Sequence, residues 1–197
     1  SGIVQIIPNE SGRSISLETH DFVAGQSNFS AWGLSNISST FGQVEVGNDL
    51  SNGLYSNQQL SLNSKVIFNA GTGSINLTGT VATSDDDIEL KTGSVAGNVS
   101  VLDLGTGGLS KSGLGSVDLV GANVYTGATT INGGELSVSG SLSDATAVSV
   151  SEGARYVLSA DDVVGSIAGS GSINLDEYQL TTGASGADTT FGGVISG

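Results

Sequence analysis

The densest set of hard oxygen ligands in this chain is Asp85-Asp86-Asp87, with Glu89 close behind. Ca²⁺ takes several carboxylate and carbonyl oxygens, and consecutive Asp residues at a corner supply some of them. The spacing is not that of a DxDxDG loop, and no calcium-binding nonapeptide accompanies it. A solvated acidic turn is therefore the preferred reading, Ca²⁺ is the one ion considered, and no cofactor is expected. Asp161-Asp162 reads as a plain turn leading into Val163-Val164. A second chemistry is suggested by Phe29, Trp32 and Tyr55, aromatics within an irregular stretch over 20–58 that offer faces for a ligand such as a glycan. His20, the sole histidine, has neither a Cys partner nor a Ser/Asp context that would make it a metal ligand or a base. Arg13, Lys65, Lys91, Lys111 and Arg155 are widely separated, without the matched acidic cluster a polysaccharide lyase or hydrolase requires. Lys111 reads as a solvated edge charge. No G-x-S-x-G elbow precedes a helix, which sets serine-hydrolase chemistry aside. The Thr pairs at 129–130, 181–182 and 189–190 lack the constant spacing of an ice-binding array.

The elements that would position such residues are short strands. Triplets with two apolar residues on one face recur at Ile15-Ser16-Leu17, Val44-Glu45-Val46, Leu60-Ser61-Leu62, Ile75-Asn76-Leu77 and Ile88-Glu89-Leu90. They continue at Val99-Ser100-Val101, Val117-Asp118-Leu119, Leu136-Ser137-Val138, Val148-Ser149-Val150, Tyr156-Val157-Leu158 and Ile173-Asn174-Leu175. Alternation with period two is the strand signal, and the polar middle residue keeps one face wet. Gly, Asn and Ser corners separate the triplets and turn the chain at low steric cost. Gly-Ser-Ile-Asn-Leu occurs at 73–77 and again at 171–175, with Gly-Ser-Val-Asp-Leu at 115–119. A unit this small buries an apolar face only against a neighbouring unit, which is the logic of a solenoid. At about twenty residues per coil the chain holds roughly ten coils over on the order of 50 Å. The one loosely helical pattern, Phe29, Trp32, Leu34 and Ile37, is weakened by Gly33 and reads as a helical turn or covering loop.

Composition narrows function further. Gly contributes 31 of 197 residues, Cys and Met none, and aromatics 5%. Hydrophobic content of 37% suits a narrow aliphatic interior rather than a thick core. Nineteen acidic against 5 basic residues give a formal net charge of −14, which repels nucleic acid and anionic membrane surfaces. No apolar run is long enough to span a bilayer, so membrane insertion by this segment is not expected. The absence of Cys fits a secreted bacterial protein. The pattern begins and stops mid-stream, as in an excerpt of a longer polypeptide, expected to be monomeric on its own. A mild shift near 102–108 divides irregular coils over 1–105 from more regular coils over 106–197, continuous with the first.

Residues 107–140 carry Gly107-Gly108-Leu109, Lys111, Gly113, Gly115, Leu119, Gly121-Ala122-Asn123, Tyr125-Thr126-Gly127, Thr129-Thr130-Ile131-Asn132-Gly133-Gly134 and Leu136. This wording resembles the passenger-associated transport repeat of bacterial autotransporters, with Val124 and Glu135 as small departures. The first half more loosely resembles filamentous-haemagglutinin-like surface proteins. The resemblance implies a right-handed parallel β-helix in a large secreted passenger and no activity for this piece. Asn123 and Asn132 stand at bends, where such residues bond backbone, tolerate left-handed φ and stack into ladders. Tyr125 is expected to cap the coil interior with its ring while its hydroxyl reaches solvent. The all-β, β-solenoid reading then points to a structural stalk of a secreted, cell-surface adhesin. Such a stalk holds up a distal region that contacts a host or surface ligand, for example a glycan. A glycan-binding module over 20–58 is the alternative, and a polysaccharide-active enzyme ranks below both.

Overall fold

The computed structural model describes residues 43–49, 51–57 and 59–197, together with the backbone of three earlier strands. Those strands are β1 (Ile3–Ile6), β2 (Ile15–Leu17) and β3 (Ser27–Phe29). Among the described residues every strand pairing is parallel, and the chain winds as a β-solenoid of about 7 turns. An eight-stranded sheet runs through β1, β4 (Gln43–Gly47), β7 (Lys65–Asn69), β9 (Ile88–Thr92), β11 (Leu109–Gly113), β13 (Thr129–Ile131), β15 (Ala147–Val150) and β18 (Ser166–Gly169). An eleven-stranded sheet faces it. In chain order it holds β2, β3, β5 (Leu54–Ser56), β6 (Leu60–Leu62), β8 (Ile75–Thr83), β10 (Gly97–Asp103), β12 (Ser116–Leu119), β14 (Glu135–Val138), β16 (Arg155–Leu158), β19 (Ser172–Asn174) and β21 (Val194–Ser196). A third side carries β17 (Asp162–Val164) paired with β20 (Leu180–Thr182).

Register explains how so few apolar residues make a core. In the first sheet Val44, Val66, Ile88, Leu109, Thr129, Val148 and Ile167 stack as one inward column. Val46, Phe68, Leu90, Lys111, Ile131 and Val150 form the next. The second sheet answers with Leu77, Val99, Leu119, Val138 and Leu158. Each rung donates its amides to the next, so burial on the inner face costs no unpaired backbone group. Successive partners lie 18 to 24 residues apart in the side-chain bonds that tie adjacent coils, such as Asn132 Nδ2 to Ser110 Oγ, Asn123 Nδ2 to Ser141 O and Asn69 Nδ2 to Glu45 Oε1.

Three expectations change here. The turns number about 7 rather than roughly ten, because β1 pairs directly with β4, Ile3 opposite Gln43, so that forty residues advance the first sheet by one rung. Val101 is not buried, since the register of β8 and β10 shifts between Val99 and Val101 and hands the inward position to Leu102. The loosely helical stretch begins with strand β3, while its remainder and Trp32 lie outside the described residues.

Candidate functional site

Among the aromatics singled out above, Tyr55 is placed on the outer face of β5, 37% exposed, beside a shallow groove of about 190 Å³ shared with Asn76 and Thr78. Phe29 contributes strand backbone to β3, and Trp32 and His20 lie outside the described residues, so the aromatic set is represented by Tyr55 alone.

Asp85, Asp86 and Asp87 form the turn between β8 and β9. Asp85 takes a left-handed φ of 68°, and its Oδ1 accepts the Thr106 amide at 2.8 Å. Asp87 Oδ1 accepts the Gly108 amide, also at 2.8 Å. Two of the three carboxylates thus bond to the coil above. Partial burial, with the flanking Asp87 and Asp85 charges, raises the Asp86 pKa. Among the described residues no three His, Cys, Asp or Glu side chains converge in a way that could hold a metal.

The residues that depart most from expectation are inside the solenoid. Lys111 is fully buried rather than a solvated edge charge. The strand register puts it in the aliphatic column between Leu90 and Ile131. Its Nζ donates to the carbonyls of Ser112 (2.9 Å), Gly133 (3.2 Å) and Gly113 (3.5 Å) at the corner. Burial pulls its pKa from 10.5 to about 8, with the Glu135 charge opposing that shift.

Tyr125 is also fully buried, contrary to a hydroxyl in solvent, because that hydroxyl has a partner within: Thr129 Oγ1 at 2.6 Å. Thr146 Oγ1 donates to the Tyr125 carbonyl at 3.0 Å from the next coil. Burial raises the phenol's pKa. One coil on, the buried Tyr156 hydroxyl donates to Asp162 Oδ2 at 3.1 Å, and burial followed by the Asp162 charge raises that phenol in turn. Asp162 is accordingly no plain turn residue. It opens β17, is buried, and accepts the Leu142 amide on Oδ1 at 3.1 Å. Burial raises its pKa, and its bonds to Tyr156 and backbone amides pull against that.

Asn123 serves the same purpose nearer the N-terminus. It is buried, its Oδ1 accepts the Leu102 amide at 2.8 Å, and its Nδ2 donates to the carbonyls of Gly121 and Ser141. Asn132 stays exposed and links Ser110 to Ser151 through its amide. Both bend Asn residues bond across coils, Asn123 to backbone as expected and Asn132 to the Ser110 and Ser151 side chains, but neither uses left-handed φ; among the described non-glycine residues only Asp85 and Asp176 do. Of the remaining cations, Lys91 pairs with Asp49 at 2.6 Å and Arg155 with Glu135 at 3.4 Å, both on the outside.

Sequence reasoning missed the buried polar set because each member occupies an inward strand or corner position where aliphatics are usual. The available signal was register: Leu109-Ser110-Lys111 and Thr129-Thr130-Ile131 keep the triplet form with one inward residue made polar. Residues 109–138 match the family model of the passenger-associated-transport-repeat, which covers β11 through β14 and both Lys111 and Tyr125. No curated protein and no solved structure matches the chain. The matched repeat, confined to residues 109–138, and the β-solenoid are consistent with an autotransporter passenger.

Proposed function

We propose that this chain is a stalk segment of an autotransporter adhesin, holding a distal binding region away from the cell surface. The observation that carries the reading is register. Inward columns and inter-coil bonds continue rung by rung from β4 to β16, which supports a stiff spacer as the product of the fold. The polar networks support the same reading, since Asn123, Asp162 and Lys111 tie backbone groups of neighbouring coils rather than opening toward solvent. The outer face is Ser, Thr and Asn with dispersed carboxylates, which keeps a long particle soluble without strong attraction to a polyanion.

The test replaces residues 43–197 in the surface-displayed parent by a flexible Gly/Ser linker with the same number of residues. Secretion and surface exposure are followed with an epitope tag, and attachment is measured separately. Attachment should fall while display persists, because a flexible chain does not hold its end at a fixed distance. Unchanged attachment would count decisively against the stalk. Small-angle scattering of the isolated chain should also give a rod-like cross-section rather than a globule.

A further inference from the structure

The outer edge of the first sheet carries a groove that the spacer role does not use. Backbone bonds from Val66 N–H to Asp87 O, Ile88 N–H to Gly108 O and Leu109 N–H to Ala128 O put residues 65, 87, 108 and 128 in one column, a rung apart. Side chains along that column are long at Lys65 and Asp87 and minimal at Gly108 and Ala128. The change leaves a groove of about 230 Å³, floored by Gly108 and Ala128, with Ser110 and Thr130 along one side and Lys65 and Asp87 at its end.

Three features give this groove a ligand chemistry. Lys65 is, among the described residues, the cation without a carboxylate or carbonyl partner, since Lys91 and Arg155 are ion-paired and Lys111 bonds three carbonyls. Asp87 uses Oδ1 for the Gly108 amide, which pins the carboxylate at the rim and leaves Oδ2 as an acceptor. Lys65 and Asp87 occupy adjacent rungs and line the same groove, yet no ion pair closes between them. A donor and an acceptor carried on adjacent rungs suit two adjacent hydroxyls, one oxygen accepting from the ammonium while the neighbouring O–H donates to the carboxylate. Charge-assisted bonds of that kind are the stronger ones. The floor of Gly108 and Ala128 carries no side chain larger than a methyl group, which suits the C–H face of a ring.

We propose that this groove binds an uncharged pyranose through a vicinal diol bridged between Lys65 and Asp87, with the sugar ring lying over Gly108 and Ala128. The site itself carries one positive and one negative group within a chain of net charge −14, so an additional carboxylate or sulfate on the sugar is disfavoured. The volume admits a single ring, and affinity on the order of millimolar is expected of so small a contact.

The experiment is amide NMR of the whole chain titrated with methyl glucoside, methyl galactoside and methyl mannoside, with glucuronic acid as the anionic comparator. At least one neutral glycoside should shift the amides of Gly108, Ala128 and Thr130 with saturating behaviour. Lys65→Ala and Asp87→Asn should each weaken it about tenfold or more, and Ala128→Leu, which fills the floor, should abolish it. Asp87→Asn retains an oxygen for the Gly108 amide, so the unperturbed spectrum outside the groove verifies the fold. Absence of shifts with all three glycosides overturns the proposal, as does tighter binding of glucuronic acid or unchanged binding in Ala128→Leu. None of these outcomes bears on the stalk, which is tested by attachment and scattering.

Discussion

Inside a coil one layer wide, an ammonium group meets its hydrogen-bond demand either by reaching out to water or by turning to the backbone of a corner. Lys111 takes the second course, with its stem among Leu90 and Ile131 and its head on three carbonyls. Because no carboxylate bonds it directly, the charge is held at a cost, and the folded pKa lies near 8 against 10.5 unfolded. Between those values the unfolded chain keeps a proton that the folded chain has released, so stability rises with pH across that window and is flat below it. The tyrosines act in the opposite sense only above their ordinary value of 10.0, where the unfolded phenols ionise while buried Tyr125 and Tyr156 stay protonated. Urea unfolding at pH 7 and pH 9.5 should therefore show wild type gaining stability at the higher pH. Lys111→Met should remove that gain while staying within about 1.5 kcal/mol of wild type at pH 7, as a volume-conserving swap for a buried charge. Lys111→Glu should lose about 3–5 kcal/mol, because it sets a carboxylate against carbonyl oxygens. An unaltered alkaline gain in Lys111→Met would refute the assignment. Asp162 works with the sign reversed in pH. Its folded pKa is raised, so its contribution is greatest when protonated and fades as pH rises through the folded value. Asp162→Asn should flatten the acid side of the stability profile relative to wild type while retaining an acceptor for Leu142. Asp162→Ala should cost about 1–3 kcal/mol by leaving the Leu142 amide and Tyr156 hydroxyl without their acceptor.

At the scale of the element, the corners decide how closely coils stack. Gly113 combines φ of 82° with a position where an added Cβ would run into the Thr92 carbonyl of the coil below. Gly153 has nearly the same φ, 78°, but nothing within 4 Å of the added atom. Gly153→Ala should therefore show the conformational cost alone, about 1–2 kcal/mol. Gly113→Ala should exceed it by about a further 1 kcal/mol or more, since coils must separate to admit the methyl group. Thermal melts of the two variants side by side measure the difference, and equal losses would show that steric stacking at this corner is unimportant. The same elements show what was readable in advance. Triplets such as Val44-Glu45-Val46, Ile88-Glu89-Leu90 and Leu136-Ser137-Val138 are strands with the inward and outward faces expected from period two. Strands β11 and β13 were harder to recognise because Lys111 and Thr129 stand at inward positions, and polarity hid the alternation. The bulge at Val99–Val101 left no local mark, because which of Val101 and Leu102 faces inward depends on pairing with β8. Likewise the Lys65–Asp87 groove joins residues a full coil apart in sequence, and the length of that coil is a quantity the triplets do not state.

For the whole molecule, nearest-neighbour stacking implies a gradient of local stability along the axis. A central coil such as that of β11 and β12 is covered on both sides by β9, β13, β10 and β14. In the isolated 197-residue chain strand β21 is covered on one side, by β19, and all three of its residues are exposed, with Val194 at 66% and Ile195 at 55%. Residues 181–190 are exposed throughout. In a quasi-one-dimensional array each coil draws its stability from its own packing and from two interfaces, and an end coil lacks one of them. Native-state hydrogen exchange of the isolated chain should thus give the greatest protection in β9 through β16 and the least in β20 and β21, with openings that advance inward from the end. Adding Lys111→Glu should lower protection first in β9, β11 and β13, the strands that adjoin it, and should reach β4 and β18 only weakly. Uniform exchange along the axis, or equal loss in every strand of that variant, would mean that the solenoid opens as one cooperative block. Its mechanics as a spacer would then be set by global unfolding rather than by the strength of individual coil interfaces.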